Sequence, residues 1–202
     1  KKIISLSDVV IVNSITFKKQ MEDLLDINVK CIFNPLNFRE IINKSRLKQS
    51  NAIFKEKKFI KLINIGRLTE QKDQITLLKS LNLIKDRYKF KLLILGRGKE
   101  KKKMLKYISL NKLNDIVKIH NFIENPYPLL KQSDIFILSS KYEGLPNVLL
   151  ESAVLKKIII SSDCPTGPKE ILLNGKGGLL FKVGDYKDLS KKIVYCLKNI
   201  KK

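Results

Sequence analysis

Residues Phe59–Gly96 read FIKLINIGRLTEQKDQITLLKSLNLIKDRYKFKLLILG, and this stretch decides the fold. Two short apolar runs, Phe59–Gly66 and Phe90–Gly96, flank a segment in which Ile75, Leu78, Leu81 and Ile84 recur at helical spacing. That order predicts a strand, a helix over Asp73–Arg87 and a second strand. Strands without a polar face are covered on both sides, which parallel strands with crossover helices achieve.

The same rhythm continues in both directions. Towards the amino terminus, Asp8–Asn13 and Val29–Phe33 read as strands around an amphipathic helix carrying Phe17, Met21, Leu24 and Leu25, with Ser14 as its cap. Pro35, in NPLNF, stops regular structure, and Lys44–Lys58 reads as a solvated connection or short exposed helix. Towards the carboxyl terminus come a helix over Lys99–Leu110, a strand near Ile116–Ile119 and a short helix opened by Pro126. DIFILSS (134–140) is a strand, Asn147–Leu155 a helix and KIIISS (157–162) a strand. A short helix over Pro168–Leu173, the GGLLF strand (177–181) and a closing helix with Leu189, Ile193 and Leu197 complete the series. The fold class is α/β, a Rossmann-like doubly wound parallel sheet. Such sheets bind ligands beyond the carboxyl ends of their strands, so residues just after strands carry most weight.

The 202 residues are 44% hydrophobic and 7% aromatic, enough for one sizeable core. The net charge of +22 comes almost entirely from lysine. An AT-rich coding sequence explains much of that; if the charge is selected, phosphates, nucleic acid or an anionic membrane face are the candidate partners. No apolar run approaches the ~20 residues that span a bilayer, so membrane contact would be peripheral. Cys31, Cys164 and Cys196 are odd in number and outside any C-x-x-C arrangement, which fits reduced cytosolic thiols rather than zinc or a disulfide framework. The chain opens at Lys1 without a signal peptide and reads as beginning inside a longer protein.

In SSKYEGLPNVLLESA (139–153), Glu143 follows a strand in a Gly-Pro loop while Glu151 lies one turn into the next helix. Gly144 permits close backbone approach, Pro146 suits a helix start and Asn147 is a candidate cap. Glu151 alone is explained by the helix dipole, a few tenths of a kcal/mol; Glu143 is not. A carboxylate accepts two hydrogen bonds from a vicinal diol, and two carboxylates suggest two diols, as on a nucleotide sugar.

In NIGRLTEQKDQ (64–74), Gly66 and Arg67 end a strand and Lys72 lies at the mouth of the next helix, so two cations could converge on one anion. No D-x-D pair occurs, so a metal bridging a diphosphate is not supplied and the cations would neutralise it. Gly96-Arg97-Gly98 lacks the third glycine of a dinucleotide fingerprint and reads as a strand-to-helix turn. His120, the only histidine, is expected to pack at a strand end. Gly167-Pro168 opens a helix whose amides could meet an anion or sugar, with Glu170 serving the helix start.

GRL with QKD, ILGRG, NPYPLLKQSDIFILSSKYEGLPNVLLESA and SDCPTGPKEILLNGKGGLLF together resemble the carboxyl-terminal half of the retaining glycosyltransferases of family 4, which have the GT-B fold. The resemblance runs from about Ile60 to Ile193, and the E-x7-E element of Glu143 and Glu151 is its most specific part. DCPTGPKEIL is most similar to bacterial members that build lipopolysaccharide, capsule or lipid-linked oligosaccharide.

The resemblance implies a nucleoside-diphosphate sugar as substrate, UDP-linked by analogy, with no cofactor and no metal. Arg67 and Lys72 would hold the diphosphate, Glu143 the hexose hydroxyls and Glu151 the ribose diol. Gly66 and Gly98, with the backbone of Gly144, Leu145, Asn147 and Val148, would line phosphate and sugar, and Phe122 and Ile123 would border the base. It also implies a split at residue 38: residues 1–38 as the tail of an amino-terminal acceptor domain with its linker, residues 39–202 as the donor domain. Without the rest of that first domain, transfer to a glycan or lipid-linked acceptor is not expected. A nucleotide-sugar epimerase or sugar phosphorylase of the same architecture is the alternative enzyme, and a nucleic-acid module is favoured by charge alone.

Overall fold

Side chains alternate across each central strand: Leu62, Leu92, Ile94, Ile135, Ile137 and Ile160 lie in one buried cluster, while Ile63, Leu93, Leu95, Phe136, Leu138 and Ile159 lie in another. Both faces of the sheet are therefore core, as the two-sided apolar runs require. The computed structural model describes residues 4, 7–48, 54 and 58–200.

The main sheet contains β3 (Ile60–Ile65), β4 (Phe90–Leu95), β5 (Val117–His120), β6 (Ile135–Leu138), β7 (Ile158–Ser162) and β8 (Leu179–Phe181). Every pairing is parallel and the order is β5-β4-β3-β6-β7-β8. The first face is covered by α3 (Gln74–Asn82), α4 (Lys101–Leu110) and α8 (Tyr186–Asn199), whose Leu77, Leu78, Leu81, Met104, Ile108, Leu189 and Ile193 join its cluster. The second is covered by α5 (Tyr127–Gln132), α6 (Asn147–Val154) and α7 (Pro168–Ile171) through Leu129, Leu130, Leu149 and Ile171. The chain winds outwards one way from β3 to β5 and then returns to build β6 to β8 on the other side. The crevice of such a sheet opens where the winding reverses, between the carboxyl ends of β3 and β6.

A smaller unit precedes it: β1 (Val10–Val12) and β2 (Val29–Cys31) pair in parallel around α1 (Ile15–Leu25), and α2 (Phe38–Ser45) follows. Ser14 caps α1, its hydroxyl accepting from Phe17 N at 3.2 Å. About half of the Lys44–Lys58 connection falls outside the described residues; the part that is described begins inside α2.

Three local expectations are corrected. Asn147 is the first residue of α6 and caps nothing; its Oδ1 accepts from Asn34 Nδ2 at 2.7 Å, and Asn34 Oδ1 accepts from Asn13 Nδ2 at 3.2 Å. Glu170 serves a helix start, but that of α1 rather than its own: Ser14 Oγ (2.8 Å), Ile15 N (3.2 Å), Thr16 N (3.3 Å) and Thr16 Oγ1 (3.2 Å) all donate to its carboxylate. His120 ends β5 exposed instead of packed.

Burial alone would raise the Glu170 carboxyl, but the hydrogen bonds from Ser14, Ile15 and Thr16 outweigh it and hold the group below its ordinary value. A depressed folded-state value means that the stabilisation is present above the unfolded value and is lost as pH falls through the folded one. Glu170→Gln is therefore expected to be less stable than the parent at neutral pH, with the gap closing below the ordinary carboxylate range. Urea unfolding of both chains across that range measures it, and a gap independent of pH would contradict the assignment.

Candidate functional site

The strand β3 ends at Ile65 and is followed by Gly66 and Arg67, and the chain then makes a single 3-10 turn, Glu70–Lys72. Asp73, at φ 43° and ψ 47°, reverses the backbone and caps α3, accepting from Thr76 Oγ1 at 2.7 Å. This reversal returns Lys72 to the sheet, where its stem passes 3.6 Å from the place a Cβ would take on Gly66. Lys72 Nζ lies 2.5 Å from Glu143 Oε1, which also accepts from Ser140 Oγ at 2.5 Å. The two side chains are only 14% and 7% exposed, so this ion pair is screened far less than a surface one. It joins the ends of β3 and β6, the two strands that border the crevice.

The loop carrying Glu143 is braced from the next strand. Thr166 Oγ1 donates to the Glu143 carbonyl, and Ser162 Oγ donates to the Ser140 carbonyl at 2.6 Å. Gly167, at φ +81°, lies so close that a Cβ there would sit 2.0 Å from the Gly144 carbonyl oxygen. Thus Gly167 is a buried brace behind this loop.

Beside the ion pair opens a cavity of about 450 Å³. Its floor is Ile65, Gly66, Leu95 and Gly96 at the strand ends, and its walls carry Arg67, Arg97, Phe122, Ile123, Tyr127 and Glu151. The glycines matter because the strand ends approach closely: a Cβ on Gly96 would lie 1.9 Å from the Gly66 carbonyl oxygen. Arg97 sits over the Phe122 ring, 5.6 Å from its centroid. Glu151 Oε1 accepts from Tyr127 OH at 3.3 Å. Burial pushes the Glu151 carboxyl up, partly offset by that hydrogen bond, while burial and the nearby carboxylate push the Tyr127 phenol up to about 12. A cavity with an aromatic and aliphatic wall, an arginine at the mouth and a half-buried carboxylate suits a ligand combining a flat ring, hydroxyls and an anion.

The sequence profile of the family described as "Glycosyl transferases group 1" matches residues 43–202. The chain belongs to the group 1 glycosyl transferases. It is 42% identical over 135 residues to an uncharacterized glycosyltransferase of Methanocaldococcus jannaschii, covering 66% of this chain and 33% of that protein. It is 29% identical over 183 residues to the N-acetylgalactosamine-N,N'-diacetylbacillosaminyl-diphospho-undecaprenol 4-alpha-N-acetylgalactosaminyltransferase of Campylobacter jejuni, covering 88% and 47%. The crystal structure of Anabaena HepE in complex with UDP and glucose superposes with a TM-score of 0.80 at 19% identity, over 96% of this chain and 54% of that one. The chain thus spans a third to a half of these two relatives, and the structural likeness establishes the shared Rossmann-like fold.

Within this group 1 domain, the residues singled out from sequence fall into three places. Gly66, Arg67, Phe122, Ile123 and Glu151 share the cavity. Lys72 and Glu143 form the ion pair, which does not line the cavity but adjoins it through Gly66, and Gly144, Leu145, Asn147 and Val148, also outside the lining, follow on the loop and first turn of α6. Gly98 lies apart from the cavity wall, where a Cβ would meet the Leu68 carbonyl oxygen at 2.2 Å; it serves the packing of the β4–α4 turn. Sequence reasoning missed Arg97, Tyr127, Ser140 and Gln71. Arg97 lies two residues after β4, so the rule that favours residues after strands marks it. Gln71 links Arg67 to the loop after β6, accepting from Arg67 Nη2 at 3.3 Å and donating to the Tyr142 carbonyl at 3.0 Å; nothing in its local sequence signals that.

Proposed function

We propose that this domain holds the nucleoside-diphosphate sugar of a family 4, configuration-retaining glycosyltransferase that builds a bacterial surface or lipid-linked glycan. The observation that carries the reading is that Arg67 and Glu151 line one cavity at the switch point of the sheet, with the Lys72–Glu143 pair next to it through the Lys72 stem, which lies against Gly66 of the cavity floor. On this reading the base lies against Phe122 and Ile123, Glu151 accepts from the ribose hydroxyls and the diphosphate faces Arg67, Lys72 and the amino end of α6. Glu143 faces the hexose. UDP is the favoured nucleotide, supported by HepE, a neighbour seen with UDP and glucose.

Two cations and a helix end stabilise the charge that develops on the departing diphosphate, which is the electrostatic share of catalysis, and the proposal assigns no metal to that task. Lys72 has a double role: it fixes Glu143 through its ion pair and presents charge to the phosphates. Binding a donor is not transfer, because an acceptor must be held against the anomeric carbon, and the cavity alone is expected to bind without turnover. Among the described residues no helix is long and apolar enough to cross a membrane. The net charge of +22 supports a peripheral, inner-face association with anionic lipid as part of the proposal.

Calorimetric titration of the 202-residue chain with UDP-, GDP- and ADP-sugars tests the reading. Saturable binding of a UDP-sugar, tighter than the other two, is the expected result. Failure of all three to bind would overturn the donor site, and preference for GDP or ADP would overturn the nucleotide assignment.

A further inference from the structure

Glu151 is held by a neighbour that the donor-site reading does not use. Tyr127 OH, from the first residue of α5, donates to Glu151 Oε1 in the second turn of α6 at 3.3 Å, and is its one hydrogen-bond partner among the described residues. The turn bearing Tyr127 is tied to α2 through Asn125: Tyr127 N donates to Asn125 Oδ1 at 3.3 Å, and Asn125 Nδ2 donates to the Lys44 carbonyl at 3.1 Å. The other charged groups at the cavity are Arg67, Arg97 and Glu124, with Glu40 of α2 facing Tyr127. Arg97 is stacked over Phe122.

Resting on the donor-site reading, we infer that Tyr127 is the positioning residue that aims Glu151 at the ribose, and that the pair selects ribonucleotides over their 2′-deoxy counterparts. A carboxylate free to rotate would turn to water when one hydroxyl is missing. One pinned through Oε1 beside Ile65 and Ile123 has fewer ways to recover the lost bond, and an unsatisfied acceptor in such surroundings costs more than a hydrogen bond gains. Sites that reject a substrate lacking one hydroxyl work through this asymmetry. The phenol, pushed up to about 12, keeps its proton at neutral pH and remains a donor throughout.

Titration of the chain and of Tyr127→Phe with UDP and with 2′-deoxy-UDP tests the inference. The unaltered chain is expected to prefer UDP by about tenfold or more. Tyr127→Phe should lose most of that ratio by weakening UDP about tenfold while leaving 2′-deoxy-UDP nearly unchanged. Equal losses on both ligands would mean that the ring only packs, and would overturn the inference. Glu151→Gln offers the same ratio test should Tyr127→Phe fail to fold, and in the Glu151→Gln background the added Tyr127→Phe should change the ratio no further. UDP binding without preference for the ribose overturns this inference alone. Absence of UDP binding overturns the donor site and the inference with it.

Discussion

Replacing Glu143 by alanine is expected to destabilise the domain by about 3–5 kcal/mol, because it strands the Lys72 ammonium in a largely buried place without its partner. The carboxylate takes the Lys72 Nζ and Ser140 Oγ contacts at 2.5 Å each, and the side chain is 7% exposed, so water cannot replace it freely. For a chain of this size the loss corresponds to a fall in Tm of about 6–20 °C. Lys72→Met should cost a similar amount by stranding Glu143. The double variant Glu143→Leu/Lys72→Met should be much less unstable than the sum, since an apolar pair of comparable volume removes both desolvation penalties. Thermal and urea unfolding of the three variants decide it; additive losses would show that the pair is not coupled. The sequence reads Glu143 as a ligand contact only; its place in a buried pair makes it structural as well.

Arg67→Ala is expected to do the opposite: unchanged stability, and UDP affinity lower by about ten- to a hundredfold. Arg67 is exposed and the one polar contact of its side chain among the described residues is the 3.3 Å hydrogen bond to Gln71, so the fold loses little. A charge-assisted bond to a phosphate is worth about 1.5–3 kcal/mol, which sets the loss in affinity. Arg67→Lys should restore only part of it, since an ammonium cannot match the fork that a guanidinium offers to two phosphate oxygens. The difference from the parent should also shrink as ionic strength rises. Titration with UDP alongside a thermal scan checks both halves; wild-type affinity in Arg67→Ala would remove the residue from the diphosphate site.

What the chain reveals before folding depends on how far each interaction reaches. The strands of the main sheet were legible because two-sided burial writes itself as uninterrupted apolar runs, and β3, β4, β6 and β7 appear within a residue or two of those runs. The stripe of Ile75, Leu78, Leu81 and Ile84 was correct as a statement about burial and too long as a statement about the helix. The helix α3 stops at Asn82, and Ile84, 1% exposed, reaches the core from a turn in which Ile84 N bonds the Leu81 carbonyl at 3.1 Å. Repeating i→i+3 turns keep the same side inwards, so spacing alone does not mark where a helix ends. The short polar side chains were least legible. Asn147 and Glu170 each have a plausible partner a few residues away, and each instead bonds a group more than 110 residues distant. Local propensity describes what such side chains can do, and tertiary proximity selects among those options.

The Glu170 carboxylate and the Asn13–Asn34–Asn147 amides fasten the β1-α1-β2 unit to the larger domain at two separate points. The two attachments differ in compliance. The anionic anchor is gripped by four donors at once, whereas each amide can exchange its donating and accepting ends and re-form after a small slide. Such a joint is stiff at α7 and yielding next to Gly144, so relative tilting of the two units would be felt first by the loop that presents Glu143.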